Sequence, residues 1–397
     1  MSRYYSYFNS AKDILNLYKG QEPLSSFLKK YFSSKKKIGS RDRKEISHLC
    51  FCYFRLGKAA WSLTTEERLV TGIFLCSNGP NEVLAAIRPQ WNETIHLPLE
   101  EKLLIINHKV LVSEVFPWKN ELSEGIEHEK FCISFFIQPN LFLRVRPGKM
   151  EIVVKKLQSR LSAGEDLRFR IVSENCISLS NATKVDQVLD IDQEVVIQDH
   201  NSQQTGRLLN YAFTSLGDTS PSVWDCCTAS GGKSILAYDI DPGIELTVSD
   251  VRESILANLK KRFQKAGIKK YRSFVIDLEK TNIQHPVLND QQSMIIADVP
   301  CTGSGTWSRT PEQLYFFNEK KIDEYAALQK RIVSTVIPQL KSGGYFIYIT
   351  CSVFKKENEE VVEFIEQNFH LKLQLKEILK GYDKKADSMF AALFKKL

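Results

Sequence analysis

The sequence has no pair of cysteines spaced as CxxC, no apolar run long enough to cross a bilayer, no internal repeat and no low-complexity segment. The first absence argues against a zinc site, because structural zinc centres draw on such pairs. The second excludes a spanning helix, which needs about 20 consecutive apolar residues. The opening stretch MSRYYSYFNSAKDILNLY lacks the charged start, apolar centre and small-residue cleavage site of a secretory signal, so a cytoplasmic location is expected. The nine cysteines are an odd count without regular spacing, and they read as reduced thiols.

What is present is an ordinary globular composition. At 397 residues the chain has room for two or three domains with a sizeable core. A net charge of +7 suits a polyanionic partner without demanding one. Residues 1–118 carry apolar positions at helical spacing, notably in 11–18, 24–32, 43–54 and 65–75. Between the second and third of these lies a basic loop with Lys35, Lys36, Lys37 and Arg41. It fits phosphate contact, and a solvated loop is the alternative.

From 119 to 210 the pattern becomes a small α+β module of mixed β-α-β order. Strands are expected at 131–137, 141–145, 169–172 and 176–179, with an amphipathic helix over 150–161. Arg144 and Arg146 flank Val145 and share one strand face, where either phosphate contact or plain surface charge is open. From 211 to 397 short strands alternate with helices, the pattern of a doubly wound α/β sheet.

The most informative stretch is 222–241, SVWDCCTASGGKSILAYDID. A short buried strand, a small-residue turn and a helix start follow one another, the layout that lets a backbone approach a nucleotide-like ligand. Strands expected at 246–250, 273–277 and 293–298 each end in aspartate, at Asp250, Asp277 and Asp298. Aspartates often punctuate strand ends as turn formers, which explains one more easily than three. An acid at the tip of the second strand is the usual partner of a ribose hydroxyl. Two cysteines, Cys301 in DVPCTGSG and Cys351 in YITCS, directly follow apolar strands. Both thiols can therefore face the crevice beyond the strand ends.

These motifs resemble the RsmB/Sun-type (NSUN-type) RNA cytosine-5 methyltransferases. The family's D-x-C-A-A-P-G-G-K-T is matched by Asp225 to Ser234, its D-A-P-C-S-G-x-G by Asp298 to Gly305, and its R-x-P-E by Arg309, Pro311 and Glu312. Its T-C-S and E-N-E are matched by Thr350-Cys351-Ser352 and Glu357-Asn358-Glu359. The resemblance implies a seven-stranded Rossmann-like domain with a final antiparallel strand over 211–397, a helical NusB-like RNA-binding domain over 1–118, and a small α+β domain over 119–210. It implies S-adenosylmethionine as cofactor, with Cys227, Thr228, Ala229, Ser230, Gly231, Gly232 and Lys233 around the methionine part. Asp250 would meet the ribose and Asp277 the adenine amino group, with Asp298 completing the site.

By the same resemblance Cys351 is the nucleophile, Cys301 assists product release and Asp298 polarises the cytosine. No metal is implied. The implied partner is RNA, ribosomal RNA before transfer RNA, with a ribosomal subunit precursor as one form of that substrate, and the protein is expected to be a monomer. A catalytically weak ribosome-assembly factor is the alternative. Arg144, Arg309 and Trp307 join the basic loop as candidate RNA contacts, with packing as the other reading of Trp307. The chain departs from the family at Thr228 and Ser230, where the motif has Ala and Pro, and at Val299 and the 387–390 segment.

Overall fold

The computed structural model describes residues 3–35, 37–162, 168–280 and 291–397, so Lys36, expected among the RNA contacts, lies outside the described residues. The chain forms two compact units. The first comprises Met1–Leu122, Glu127–Gln138 and Thr306–Glu319, and the second Ser123–Ile126, Pro139–Gly305 and Lys320–Leu397.

The first unit is helical. Helices Arg3–Leu17, Leu24–Ser34 and Ser40–Arg55 bury residues such as Ala11, Ile14, Leu24, Leu49 and Phe54, and Thr65–Cys76 is buried on all sides from Arg68 to Leu75. Thr64 starts the fourth with a capping box, its hydroxyl accepting from Glu67 N while the Glu67 side chain returns to Thr64 N. Gly72 lets that helix lie against its neighbour, since a Cβ there would stand 2.5 Å from Cys52 O.

The strand expected at 131–137 is instead the helix His128–Ser134. An unbroken apolar run fits either element, and here the aromatic contacts select the helix. Phe131 and Phe135, four residues apart, meet each other at 5.1 Å between ring centroids, and both meet Phe116. The buried guanidinium of Arg55 closes this segment by donating to Phe135 O and Ile137 O. Trp307 belongs to the same unit and is 1% exposed, packed on Phe116 and Phe317. It is a packing residue, not an exposed platform for a base.

The second unit holds two sheets among the described residues. Strands β1 (Leu141–Val145), β2 (Phe169–Ser173), β3 (Cys176–Leu179) and β4 (Val195–Ile197) form the smaller, in the order β2-β3-β1-β4. All its pairings are antiparallel, and helix Met150–Ser162 contributes Val153 and Leu157 to a core with Leu143, Val145 and Ile177.

Both faces of β1 are covered, so the expectation that Arg144 meets RNA fails. Arg144 and Arg146 do share a face, but both grip the carboxylate of Asp239, Arg144 and Asp239 being only 5% exposed at the side chain. Arg144 Nε also donates to Gln198 Oε1 at 2.8 Å. A buried, paired guanidinium has no phosphate to offer itself to.

The larger sheet contains β5 (Ser222–Asp225), β6 (Glu245–Asp250), β7 (Arg272–Val275), β8 (Gln292–Asp298), β9 (Leu340–Thr350), β10 (Leu371–Leu379) and β11 (Met389–Lys396). Their order is β10-β11-β9-β8-β5-β6-β7. The pairings from β9 through β7 are parallel, and β11 runs antiparallel to both neighbours. Central strands are buried on both faces, which is why they read as continuous apolar runs. Val223, Val248, Ile296 and Ile347 face one layer, and Trp224, Ile295, Phe346 and Tyr348 the other. Chain order reverses between β5 and β8, so a crevice opens beyond their carboxyl ends.

Candidate active site

That crevice is a cavity of about 470 Å³. Its walls come from the ends of successive strands: Cys226, Cys227 and Ala229 after β5, Asp250 to Arg252 after β6, Ile276 to Glu279 after β7, Asp298 to Cys301 after β8, and Cys351 after β9. The loop after β5 is shaped by two left-handed residues, Ala229 at φ 45° and Gly231 at φ 80°. A side chain at Gly231 would run into Phe263 at 2.9 Å as well as strain the backbone. Ala229 N donates to Asp250 Oδ2 at 3.0 Å, tying the first two strand ends together.

Of the cofactor residues expected from the sequence, Cys227, Ala229, Asp250, Asp277 and Asp298 line this cavity. The others do not line it. Thr228 is buried against Ser234, and Ser230 turns outward, where its carbonyl and hydroxyl accept from Arg262, itself paired with Asp192. That explains how serine is tolerated where the related motif has proline: its side chain braces the small sheet's connection. Gly232 and Lys233 open the helix Gly232–Ile240. Burial opposes the charge of Lys233, but its ion pair with Asp298 outweighs this and raises its pKa.

Arg252 was not legible as a site residue. It donates to Asp250 Oδ1 from both its backbone N and Nε, and this hydrogen bonding raises its own pKa. Its only sequence signal is its place two residues past a strand-end acid.

The two thiols predicted to share the crevice do so, with Cys301 Sγ and Cys351 Sγ 3.2 Å apart. The hydrogen bond with Cys351, followed by burial, holds the Cys301 thiol well above the usual range, so it keeps its proton. The Lys233 charge acts on Cys351. Gly305 N donates to Cys351 O at 2.9 Å, and a Cβ there would lie 2.0 Å from Ser388 O and 3.0 Å from Cys351 O, so the close packing of the Cys301 loop against the segment before β11 requires glycine.

Asp225 sits beneath the first loop, fully buried, accepting from Ser234 Oγ at 2.5 Å, and burial lifts its pKa to about 6. The folded value exceeds the unfolded one of about 3.9. Between the two the folded chain binds more protons, so stability falls as pH rises through this window and is level above it. Asp225→Asn should therefore gain on the wild type by ~3 kcal/mol well above pH 6, with the difference shrinking toward pH 4. Thermal melts across that range check this. A variant less stable than the wild type at pH 7.5 would show that the structure needs the charge.

Among the described residues no cluster of three or more His, Cys, Asp or Glu side chains is arranged to hold a metal, and no helix is long and apolar enough to cross a membrane. The basic residues of the first unit lie outside this cavity's lining. Lys35 and Lys37 are exposed, Lys35 with its Nζ 6.0 Å from the Tyr31 ring, and Arg41 pairs with Glu82 at 3.4 Å. Arg309 is half-buried in the first unit.

A parallel sheet reversed at its centre, with acids at successive strand ends and an antiparallel strand inserted beside β9, defines a Rossmann-like methyltransferase fold. Residues 215–392 match the family model of the 16S rRNA methyltransferases RsmB/F. The probable ribosomal RNA small subunit methyltransferase B of Bacillus subtilis is 26% identical over 60% of this chain and 52% of its own length. The ribosomal RNA small subunit methyltransferase B of Proteus mirabilis is 28% identical over 42% of this chain and 38% of its own. The chain thus spans about half or less of these relatives. Among solved structures, PH0851 covers 94% of this chain and 95% of its own at TM-score 0.68 and 19% identity. NSun6 from Pyrococcus horikoshii covers 72% and 97% at TM-score 0.57 and 15% identity. At such identities the likeness speaks for the fold alone.

Proposed function

We propose that this protein transfers a methyl group from S-adenosylmethionine to carbon 5 of a cytosine in RNA, ribosomal RNA first, through a covalent adduct with Cys351. The observation that carries the reading is the pair of thiols 3.2 Å apart in the wall of a cavity that strand-end carboxylates also line. The names of the relatives favour ribosomal RNA. The exposed Lys35 and Lys37 are consistent with phosphate contact in the first unit.

The cavity suits the cofactor. Asp250 supplies acceptors for ribose hydroxyls, Asp277 one for an amino group, and the apolar Ile276, Leu278, Leu328 and Ile332 a bed for a flat ring. When bound, S-adenosylmethionine supplies the methyl group as an electrophile. Everything else falls to the chain.

Carbon 5 of cytosine is a poor nucleophile until something adds at carbon 6. Cys351, beside the Lys233 charge, is the thiolate that adds there, and Asp298 polarises the ring through a hydrogen bond. After methylation the carbon 5 proton must leave and the carbon–sulfur bond must break. Cys301 gives its proton to the departing Cys351 sulfur and, as the resulting thiolate, accepts the proton from carbon 5. Cys301 and the carbon–carbon double bond are then restored, and Cys351, now a thiol, loses the reaction's net proton to solvent to become a thiolate again. The target base must be unstacked to reach this depth.

The test incubates the protein with labelled S-adenosylmethionine and total RNA from cells lacking its gene, then maps 5-methylcytosine by bisulfite sequencing. One labelled ribosomal cytosine is the expected result. Label on transfer RNA keeps the chemistry and overturns the substrate. RNA bound without label, on free RNA and on isolated subunits alike, overturns the enzyme reading in favour of an assembly factor.

A further inference from the structure

Glu357 ends a single helical turn, Lys355–Glu357, and its side chain is fully buried. Its Oε2 accepts from Thr302 N at 2.8 Å and Gln329 Nε2 at 3.0 Å. Its Oε1 accepts from Thr302 Oγ1 and Ser352 Oγ, each at 2.5 Å. Thr302 follows Cys301 and Ser352 follows Cys351, so a single carboxylate joins the two cysteine loops from behind. Gln329 strengthens the same junction by donating also to Pro300 O at 3.0 Å. Next along the chain, Asn358 accepts from Thr350 Oγ1 and donates to Ser352 O, fixing the other side of Cys351.

Among the described residues no cation pairs with Glu357. A buried carboxylate held only by hydroxyls and amides is expensive, and a neutral group of the same shape would bridge the loops at lower cost. The charge itself therefore asks for a use. The ionisable groups that face Cys301 are Cys351, Glu357, Tyr325 from helix Lys320–Val336, and Tyr348 from β9. Glu357 brings the anionic field to Cys301, while the cation that acts on the thiol pair, Lys233, acts on Cys351. Two of the four bonds to Glu357 come from Thr302, the residue after Cys301, and one from Ser352, the residue after Cys351, so the carboxylate is seated mainly on the Cys301 side of a pair 3.2 Å apart.

We propose that Glu357 is a positioning residue that clamps the two cysteine loops at one spacing and, through its charge, divides the pair into a nucleophile, Cys351, and a proton donor, Cys301. Its use in catalysis rests on the methyl-transfer reading above. Its effect on the thiols does not.

The test alkylates the full chain with limiting iodoacetamide from pH 6 to 10 and reads Cys301 and Cys351 separately by peptide mass spectrometry. In the wild type Cys351 should react at lower pH than Cys301. In Glu357→Gln the Thr302 and Ser352 hydroxyls can turn to accept from the new amide, so the shape persists without the charge. The Cys301 profile should then move down by about one pH unit, or about tenfold faster alkylation at neutral pH. Glu357→Asp should restore the wild-type order. A wild type in which Cys301 reacts first overturns the proposal without any variant, and so does a Glu357→Gln protein whose Cys301 profile stays in place. Because neither RNA nor S-adenosylmethionine is present, a protein that orders its thiols this way yet never methylates overturns the function above and leaves this assignment standing.

Discussion

Cys351→Ala is expected to reduce methyl transfer by about 10⁴-fold or more while RNA affinity changes little. The loss is large because the thiol is a reactant, and nothing nearby can add to carbon 6 in its place at the same geometry. Cys301 is the thiol beside it, at 3.2 Å, but its hydrogen bond and burial keep it protonated. Cys301→Ala should behave in the opposite way. Attack and methylation proceed, but the proton donor 3.2 Å from the departing sulfur is gone, so the adduct persists. A denaturing gel should show a retarded protein–RNA band for Cys301→Ala, little for the wild type and none for the double variant. If Cys351→Ala formed the band and Cys301→Ala did not, the two roles would have to be exchanged.

The second large effect concerns stability. Asp239→Ala should destabilise the second unit by ~3–5 kcal/mol, measured by urea unfolding, because two largely buried guanidinium groups lose their carboxylate together. Arg146 would keep its bonds to Asp192 O and Ala266 O, but Arg144 would keep only Gln198. Asp239→Asn should cost less, since an amide oxygen can still accept. Adding Arg144→Met to Asp239→Ala should recover part of the loss, the sign of a coupled pair. A change below ~1 kcal/mol would mean that water reaches these arginines and that their burial is not a cost.

Much of the second unit could be read from the chain because its parallel strands are short apolar runs ending in aspartate or cysteine, and both features survive without tertiary context. The cavity-lining Asp250, Asp277, Asp298, Cys301 and Cys351 were all placed at strand ends in advance. What could not be read depends on partners distant in sequence. Arg144 looks like an RNA contact until Asp239 is set against it. The 131–137 run looks like a strand until Phe116 is packed on two of its rings. Edge strand β10 carries the alternation Leu371-Lys372-Leu373-Gln374-Leu375 with most of these residues exposed, so the continuous apolar run that marks the parallel strands is missing from it. Glu357 is visible as one letter of a motif, but its four donors come from three separate segments, and spacing does not disclose them.

The excursion of Thr306–Glu319 into the helical unit bears on how the protein is made. Those residues follow the Cys301 loop directly, yet they supply Trp307 and Phe317 to the aromatic packing around Phe116 and Trp118. During synthesis the first helices leave the ribosome long before this segment exists, and the intervening stretch takes on the order of ten seconds to translate. For that interval the nascent helical unit lacks Trp307 and Phe317 from its aromatic packing. The two units also cannot be exchanged between relatives by one cut. Any recombination that keeps both cores intact has to join the chain at several places, so the helical unit and the sheet that carries the cysteines are bound to be inherited together.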